Sequence, residues 1–166
     1  MSKVIYTTGI TGFIGQHFLK KIINDYDIVI NFGRNNTIGI YKNSLIPKLK
    51  NFDISELSLY KSEVLFHFAT YYNPKPKNQA EERLIEESNF NFPYNLCNKL
   101  KKNGLKRLIC TSSYMQLLDQ EYQNSYSKVK NNFIAWANKE FQVIEVFLFD
   151  TFEGVPKKLG NLRVKS

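Results

Sequence analysis

Tyr126 and Lys130 lie four residues apart, a spacing that suits a proton-transfer pair. On a helix this spacing puts the phenol and the ammonium group on one face, one turn apart. A free tyrosine titrates near ~10, and a neighbouring cation favours the phenolate, which can bring the phenol into range as a general base. Ser112 and Ser113 end the preceding apolar run, where a hydroxyl could hold a substrate oxygen beside the phenol. Such a pair also occurs by chance on amphipathic surface helices, so it needs support from the rest of the chain.

A glycine-rich segment near the start of the chain predicts a phosphate-binding turn. Residues 8–15, TGITGFIG, follow an apolar run and precede a helical pattern, which is the strand–turn–helix context that such a turn requires. Gly9 would allow the tight turn, Gly12 the close approach of a pyrophosphate, and Gly15 close packing of helix on strand. The N–H groups at the helix start would bind the anion. A glycine-rich surface turn is the alternative, and the matching flanks make it the weaker one.

The predicted elements would bring these residues to one edge of a sheet. Short apolar runs predict strands at 4–7, 27–32, 63–68, 107–112 and 142–149, and a weaker candidate containing Pro47 lies at 45–52. Residues 33–43 are expected to form a loop with an irregular strand. Helical patterns cover 13–24, 80–103 and 122–139, with Pro93 interrupting the second helix and Gly104 ending it.

Alternating strands and helices predict an α/β fold, a doubly wound parallel sheet of about six strands with helices on both faces. The glycine turn then lies at the carboxyl end of the first strand, where such folds bind ligands. The 166 residues predict one domain, and we expect a dinucleotide-binding domain over 1–156 followed by a basic tail over 157–166.

Composition excludes several classes of function. The hydrophobic fraction of 43% is ordinary for a globular protein, and no apolar run approaches the ~18–20 residues that span a bilayer. The net charge of +8 is spread along the chain without aromatic interleaving, which argues against a nucleic-acid partner. Cys97 and Cys110 have no metal-ligand spacing and are expected to be buried free thiols. We therefore expect a cytoplasmic protein with no membrane, nucleic-acid or metal partner.

The glycine segment, Ser113 and the Tyr126–Lys130 pair together resemble the extended short-chain dehydrogenase/reductase family, which includes nucleotide-sugar epimerases, dehydratases and reductases. The resemblance covers roughly residues 3–155. Residues 66–70, FHFAT, are similar to the strand segment that passes under the cofactor, and Asn89 falls at the position of a structural asparagine. The short Ser113-to-Tyr126 spacing and the LFDT sequence at 148–151 look most like sugar reductases of the CDP-abequose synthase type and NAD-dependent epimerases.

This resemblance implies a Rossmann-like fold and hydride transfer between a nicotinamide cofactor and a nucleotide-sugar. Tyr126 would be the catalytic base or acid, and Lys130 would bind the nicotinamide ribose while lowering the pKa of the phenol. Ser113 would hydrogen-bond the reacting sugar oxygen. His67 would be structural. The residues implied to bind the cofactor are Thr8, Gly9, Thr11, Gly12, Phe13, Ile14, Gly15, Arg34, Asp53, Ala69, Tyr126 and Lys130.

Asp53 and Arg34 each have an alternative interpretation that does not involve the cofactor. Asp53 matches the acidic position that contacts adenine, and it is an equally good helix N-cap, with Glu56 at the capping-box position. An acidic residue after the second strand would favour NAD. This chain has Arg34 instead, whose guanidinium group has the geometry to pair with the 2′-phosphate of NADP. We therefore expect NADP rather than NAD, the alternative being that Arg34 simply faces solvent.

The length departs from the family pattern. Members usually run on well beyond this point and add a small domain that holds the nucleotide-sugar, which the basic tail over 157–166 cannot build. We therefore expect either a truncated product or a chain whose partner supplies the missing part. A non-catalytic NAD(P)-binding module and a remnant that binds nothing are the alternatives. The resemblance also implies a homodimer through the two long helices at 80–103 and 122–139.

Overall fold

In the part of the chain that the structure describes, the sheet has seven strands in the order β4-β3-β2-β1-β5-β6-β7. The computed structural model describes residues 2–22, 24–33, 38–42, 49–51 and 54–148. The strands are β1 (Val4–Thr8), β2 (Ile28–Phe32), β3 (Ile38–Lys42), β4 (Leu49–Asn51), β5 (Val64–His67), β6 (Arg107–Ser113) and β7 (Gln142–Leu148). The helices are α1 (Phe13–Ile22), α2 (Gln79–Glu86), α3 (Phe92–Lys102) and α4 (Ser125–Glu140).

Five strands form the predicted parallel sheet. β1 pairs in parallel with β2 and β5, β5 with β6, and β6 with β7. A parallel pair needs a long crossover, usually helical, and α1, α2 with α3, and α4 lie in the connections between these strands. The Rossmann-like α/β fold expected from the sequence is therefore confirmed.

The edge beyond β2 differs in part from the expectation of a loop with an irregular strand at 33–43 and a weak strand at 45–52. Residues 38–42 form a regular strand, β3, which runs antiparallel to both β2 and β4. Only residues 33–37 separate β2 from β3, which is too short for a parallel crossover, so the chain returns antiparallel. Within the weak candidate at 45–52, residues Leu49–Asn51 form β4.

Helices cover both faces of the sheet, as predicted. Successive residues of a strand point to opposite faces, so Ile5 packs with Val29 and with Phe18 and Leu19 of α1, whereas Tyr6 lies in the core on the other face. That second core contains Leu96 and Leu100 of α3, Phe133 and Ala137 of α4, and both cysteines. Cys97 and Cys110 are buried and unbridged, as the sequence predicted.

The predicted helix over 80–103 is divided in three. Five residues of π-helix, Glu87–Asn91, separate α2 from α3. Pro93 lies in the first turn of α3, where its missing N–H breaks no hydrogen bond within the helix. Gly104 ends α3 as predicted, with φ of 98° and a hydrogen bond from the Leu105 N–H to the Leu100 carbonyl at 3.0 Å.

Candidate functional site

The glycine turn is tightly packed at its two ends. Gly9 has φ of 67°, and a Cβ there would lie 2.5 Å from the backbone nitrogen of Ala69. A Cβ on Gly15 would lie 2.3 Å from the carbonyl oxygen of Gly9 and 2.4 Å from Cα of Ile10. Only glycine therefore fits either position. Gly9 lets the turn pass over the end of β5, and Gly15 lets α1 start against the turn.

Gly12 has a different environment. A Cβ there would have one neighbour, the Gly9 carbonyl oxygen at 3.3 Å, and the residue is exposed. Thr11 and Phe13 beside it are also exposed, and Ile14 is half-buried. The Phe13 ring lies against His17, with 4.6 Å between ring centroids. The outer side of this turn is thus open to a ligand, in contrast to its inner side.

Thr8 supports the turn from below. Its side chain is fully buried, and its Oγ1 accepts a hydrogen bond from the Ala69 N–H at 3.1 Å and lies 2.7 Å from Nδ1 of His67. This hydroxyl therefore joins β1 to the end of β5 and does not face the open side. Burial, together with the positive charge of Lys130, lowers the pKa of His67 to about 3, so the ring is neutral. These contacts agree with a structural role for His67.

Asn31 is a supporting residue that the sequence did not reveal. It lies near the end of β2, and its Oδ1 accepts a hydrogen bond from the Ile10 N–H at 3.2 Å. The hydroxyl oxygen of Thr7 lies 3.4 Å from the same oxygen and 3.3 Å from the Ile30 carbonyl oxygen. The amide therefore ties the glycine turn to β2. Arg34 and Asp53, predicted to contact the cofactor, lie outside the described residues.

Tyr126 and Lys130 lie on the buried face of α4. Asn124 caps this helix, its side-chain oxygen accepting from the Ser127 N–H at 2.9 Å. The Lys130 ammonium group donates to the Thr111 carbonyl of β6 at 2.6 Å and lies 5.6 Å from the centroid of the Tyr126 ring. Burial lowers the pKa of Lys130 to about 8, although Cys110 and Glu145 oppose this shift.

The phenol of Tyr126 is not yet activated in this arrangement. Burial raises its pKa above the ordinary tyrosine value, and the hydrogen bond with Thr70 only partly offsets this. The spacing predicted that Lys130 would lower the pKa of Tyr126. The ammonium group bonds to the backbone of β6, and burial is the largest cause acting on the pKa of the phenol, which is neutral here.

Two serines at the end of β6 have separate surroundings. Ser112 is buried and donates to Oε2 of Glu145 at 2.5 Å. Ser113 is half-buried, and its Oγ accepts from the Met115 N–H at 3.3 Å, capping the short 3-10 helix Tyr114–Leu117. Because β1, β5 and β6 are parallel, Ser113 ends at the same edge of the sheet as the glycine turn and Ala69.

Thr70 and Tyr72 contact Tyr126 and were not predicted. The Oγ1 of Thr70 lies 3.2 Å from the Tyr126 hydroxyl, and the ring of Tyr72 meets the Tyr126 ring edge-on at 5.0 Å between centroids. Thr70 is the last residue of the segment at 66–70 that resembles the passage under the cofactor, and Tyr72 lies two residues beyond it. That proximity along the chain is the one signal that could have identified them.

Comparison with protein-family models now identifies the chain's relatives. Residues 5–132 match the model of the NAD dependent epimerase/dehydratase family. The chain belongs to this family. A search of curated proteins finds no match.

Solved structures of several enzymes share the fold of this epimerase/dehydratase-family chain. UDP-N-acetylglucosamine 4-epimerase from Methanobrevibacter ruminantium, in complex with UDP-N-acetylmuramic acid, is 20% identical with a TM-score of 0.61, over 88% of this chain and 54% of that one. The dTDP-4-dehydrorhamnose reductase from Bacillus anthracis, in complex with NADP, is 14% identical with a TM-score of 0.64, over 89% and 53%. WbmG from Bordetella bronchiseptica, in complex with NAD, is 16% identical with a TM-score of 0.62, over 87% and 52%. The chain thus spans about half the length of these structures.

The residues of this family member fit the dinucleotide that the family name implies. The first N–H groups of a helix lack partners within the helix, and here they follow a turn that is packed inside and open outside at Gly12. Lys130 uses one of its three N–H donors on Thr111, which leaves donors for a ligand.

In the part of the chain that the structure describes, no cluster of three His, Cys, Asp or Glu side chains could hold a metal ion. Within that same part, no helix is long and apolar enough to cross a membrane.

Proposed function

We propose that the chain is an NAD(P)-dependent epimerase, dehydratase or reductase of nucleotide-sugars, or the cofactor-binding part of one. The observation that carries this proposal is the convergence at one sheet edge of the open glycine turn, the end of β6 and the buried Tyr126–Lys130 face of α4. The sugar-nucleotide enzymes that share the fold support the choice of substrate class.

In this proposal Tyr126 exchanges a proton with an oxygen of the sugar. The neutral phenol suits the acid role, giving its proton to that oxygen. Ser113 donates its hydroxyl hydrogen to the same oxygen, while its Oγ continues to accept from the Met115 N–H. Lys130, with a pKa of about 8, stays protonated at neutral pH and offers its remaining N–H donors to the ribose hydroxyls. When bound, NAD(P) supplies or takes up the hydride at a sugar carbon.

Replacement of Tyr126 by Phe tests the proposed chemistry. The substitution keeps the ring against Tyr72 but removes the proton, so we expect turnover of UDP- and dTDP-sugars to be lost while NAD(P) binding is retained. Removing a general acid or base typically costs about 10²–10⁴-fold in rate. Tyr122→Phe is the matched control, because Tyr122 is 65% exposed just before α4 and should leave both properties unchanged. Unchanged turnover in Tyr126→Phe would falsify the assignment.

The second candidate is a non-catalytic NAD(P)-binding module. One observation favours it: the pKa of Tyr126 is raised and Lys130 is engaged with the backbone of β6, so the pair is not activated as it stands. Tight NADPH binding without turnover of any nucleotide-sugar would support this alternative, and efficient turnover by the chain alone would exclude it. A homodimer through the helices predicted at 80–103 and 122–139 remains a prediction from the family resemblance.

A further inference from the structure

Thr70 lies between the side chains of Tyr126 and Asn89, three residues beyond β5. Its hydroxyl donates to Oδ1 of Asn89 at 2.8 Å, and its Oγ1 lies 3.2 Å from the Tyr126 hydroxyl oxygen. A threonine hydroxyl has one hydrogen to donate, and an amide oxygen can only accept. The neutral Tyr126 must therefore be the donor to Thr70. The hydrogen bonds run in one direction, from Tyr126 to Thr70 to Asn89.

Asn89 cannot turn its amide over to reverse this direction. Its Oδ1 also accepts from the Tyr71 N–H at 3.0 Å, and its Nδ2 donates to the Tyr71 carbonyl at 2.9 Å. A backbone N–H only donates and a carbonyl only accepts, so these two bonds fix which end of the amide faces Thr70. The residue is also buried within the π-helical segment Glu87–Asn91. Asn89 is therefore a fixed acceptor, and the Thr70 hydroxyl is the group that can rotate.

We propose that Thr70 is a positioning residue that turns its hydroxyl from Asn89 to Tyr126 when the phenol loses its proton, and so stabilises the phenolate. The proposal rests on the proposed role of Tyr126 as acid or base. Rotation exchanges a neutral hydrogen bond for one to an anion, and charge-assisted bonds are roughly twice as strong. Asn89 keeps its bond from the Tyr71 N–H meanwhile, so no buried acceptor is left without a donor.

No other group in the described part of the chain forms a hydrogen bond to the Tyr126 hydroxyl. The titratable groups that face this side chain are Lys130 on the same helix, 5.6 Å from the ring centroid, and Tyr72, edge-on at 5.0 Å. Both contact the ring and neither bonds to its oxygen. After the rotation, the bond that Thr70 donates to the phenolate lowers the pKa of Tyr126 against the burial that raises it. Loss of the Thr70 hydroxyl should therefore leave burial unopposed.

Three variants of Thr70 test this inference. Thr70→Val removes the hydroxyl at nearly constant volume, Thr70→Ser keeps it, and Thr70→Ala serves if the valine variant does not fold. Tyrosinate absorption is titrated in each variant and in the same variant carrying Tyr126→Phe, and the difference isolates Tyr126 among the ten tyrosines. We expect the Val and Ala variants to shift this titration upward by about one pH unit, a tenfold change in the ionisation constant, and the Ser variant to keep it.

The spectroscopic titration separates failure of this inference from failure of the proposed function. An identical Tyr126 titration in Thr70→Val and the unsubstituted protein would overturn the role of Thr70, whatever the turnover. If Tyr126→Phe retains full turnover, the proposed function fails while the titration still decides the role of Thr70. Where turnover is measurable, its pH profile in Thr70→Val should shift in the same direction as the Tyr126 titration. In Thr70→Ser the profile should match that of the unsubstituted protein. A purely structural role would instead lower activity equally at every pH.

Discussion

Gly9 and Gly104 both adopt positive φ angles, but their surroundings differ. A Cβ on Gly104 would meet nothing within 4 Å, whereas one on Gly9 would press on the backbone of Phe68 and Ala69. Gly104→Ala should therefore cost only the left-handed conformation, about 1–2 kcal/mol. Gly9→Ala should lose that amount and about 1–3 kcal/mol more, because the end of β5 must move. Equilibrium unfolding in urea measures both, and equal losses would contradict the tight packing beneath the turn.

Residue types with local partners were predictable, and those with distant partners were not. The spacing of Gly9, Gly12 and Gly15 carries its meaning within eight residues, and the structure shows why two of them must be glycine. Thr70 and Tyr126 are 56 positions apart, and Asn31 bonds to a turn 21 positions earlier. No local sequence pattern predicts such contacts, because they form only when the strands assemble into the sheet.

At the scale of elements, the start of α4 links stability to the site. Asn124 caps α4 through the Ser127 N–H at 2.9 Å, and Asn78 caps α2 through the Glu81 N–H at 3.0 Å. Replacement of either asparagine by alanine should cost about 1 kcal/mol in the free energy of unfolding. Only α4 carries Tyr126, in its second position, so only Asn124→Ala should also reduce turnover or shift the Tyr126 titration. Equal effects of the two variants on Tyr126 would contradict this link.

Element types were predicted better than their interruptions and directions. Apolar periodicity predicted α4 and the five parallel strands, since each buries a continuous stripe. The π-helical segment Glu87–Asn91 has no such signal in the sequence: it is marked by a hydrogen bond from the Phe92 N–H to the Glu87 carbonyl, five residues earlier. The antiparallel direction of β3 follows from the short connection after β2, which composition alone does not disclose.

At the scale of the whole molecule, the carboxyl ends of the described parallel strands lie at one edge of the sheet, where we propose that a dinucleotide binds. The glycine turn, the end of β5 and the end of β6 all lie at the carboxyl ends of parallel strands, where such sheets bind ligands. The chain spans about half the length of the structures that share its fold. Binding of the cofactor is therefore the property of the whole chain that can be tested first, independently of any sugar.

Cofactor preference gives the sharpest prediction at this scale. Arg34 follows β2, and its guanidinium group suits a 2′-phosphate, so NADP should stabilise the chain more than NAD. A ligand at a hundred times its dissociation constant stabilises by ~2.7 kcal/mol, which is a rise in melting temperature of about 5–10 °C for a chain of this size. Arg34→Gln should abolish the difference between the two cofactors, while Arg83→Gln on exposed α2 should preserve it. A larger shift with NAD, unaffected by Arg34→Gln, would instead mean that Arg34 does not contact the cofactor. No shift in melting temperature with either dinucleotide would contradict the proposed binding site. The glycine turn, which is tightly packed on its inner side and open on its outer side, would then bind neither cofactor.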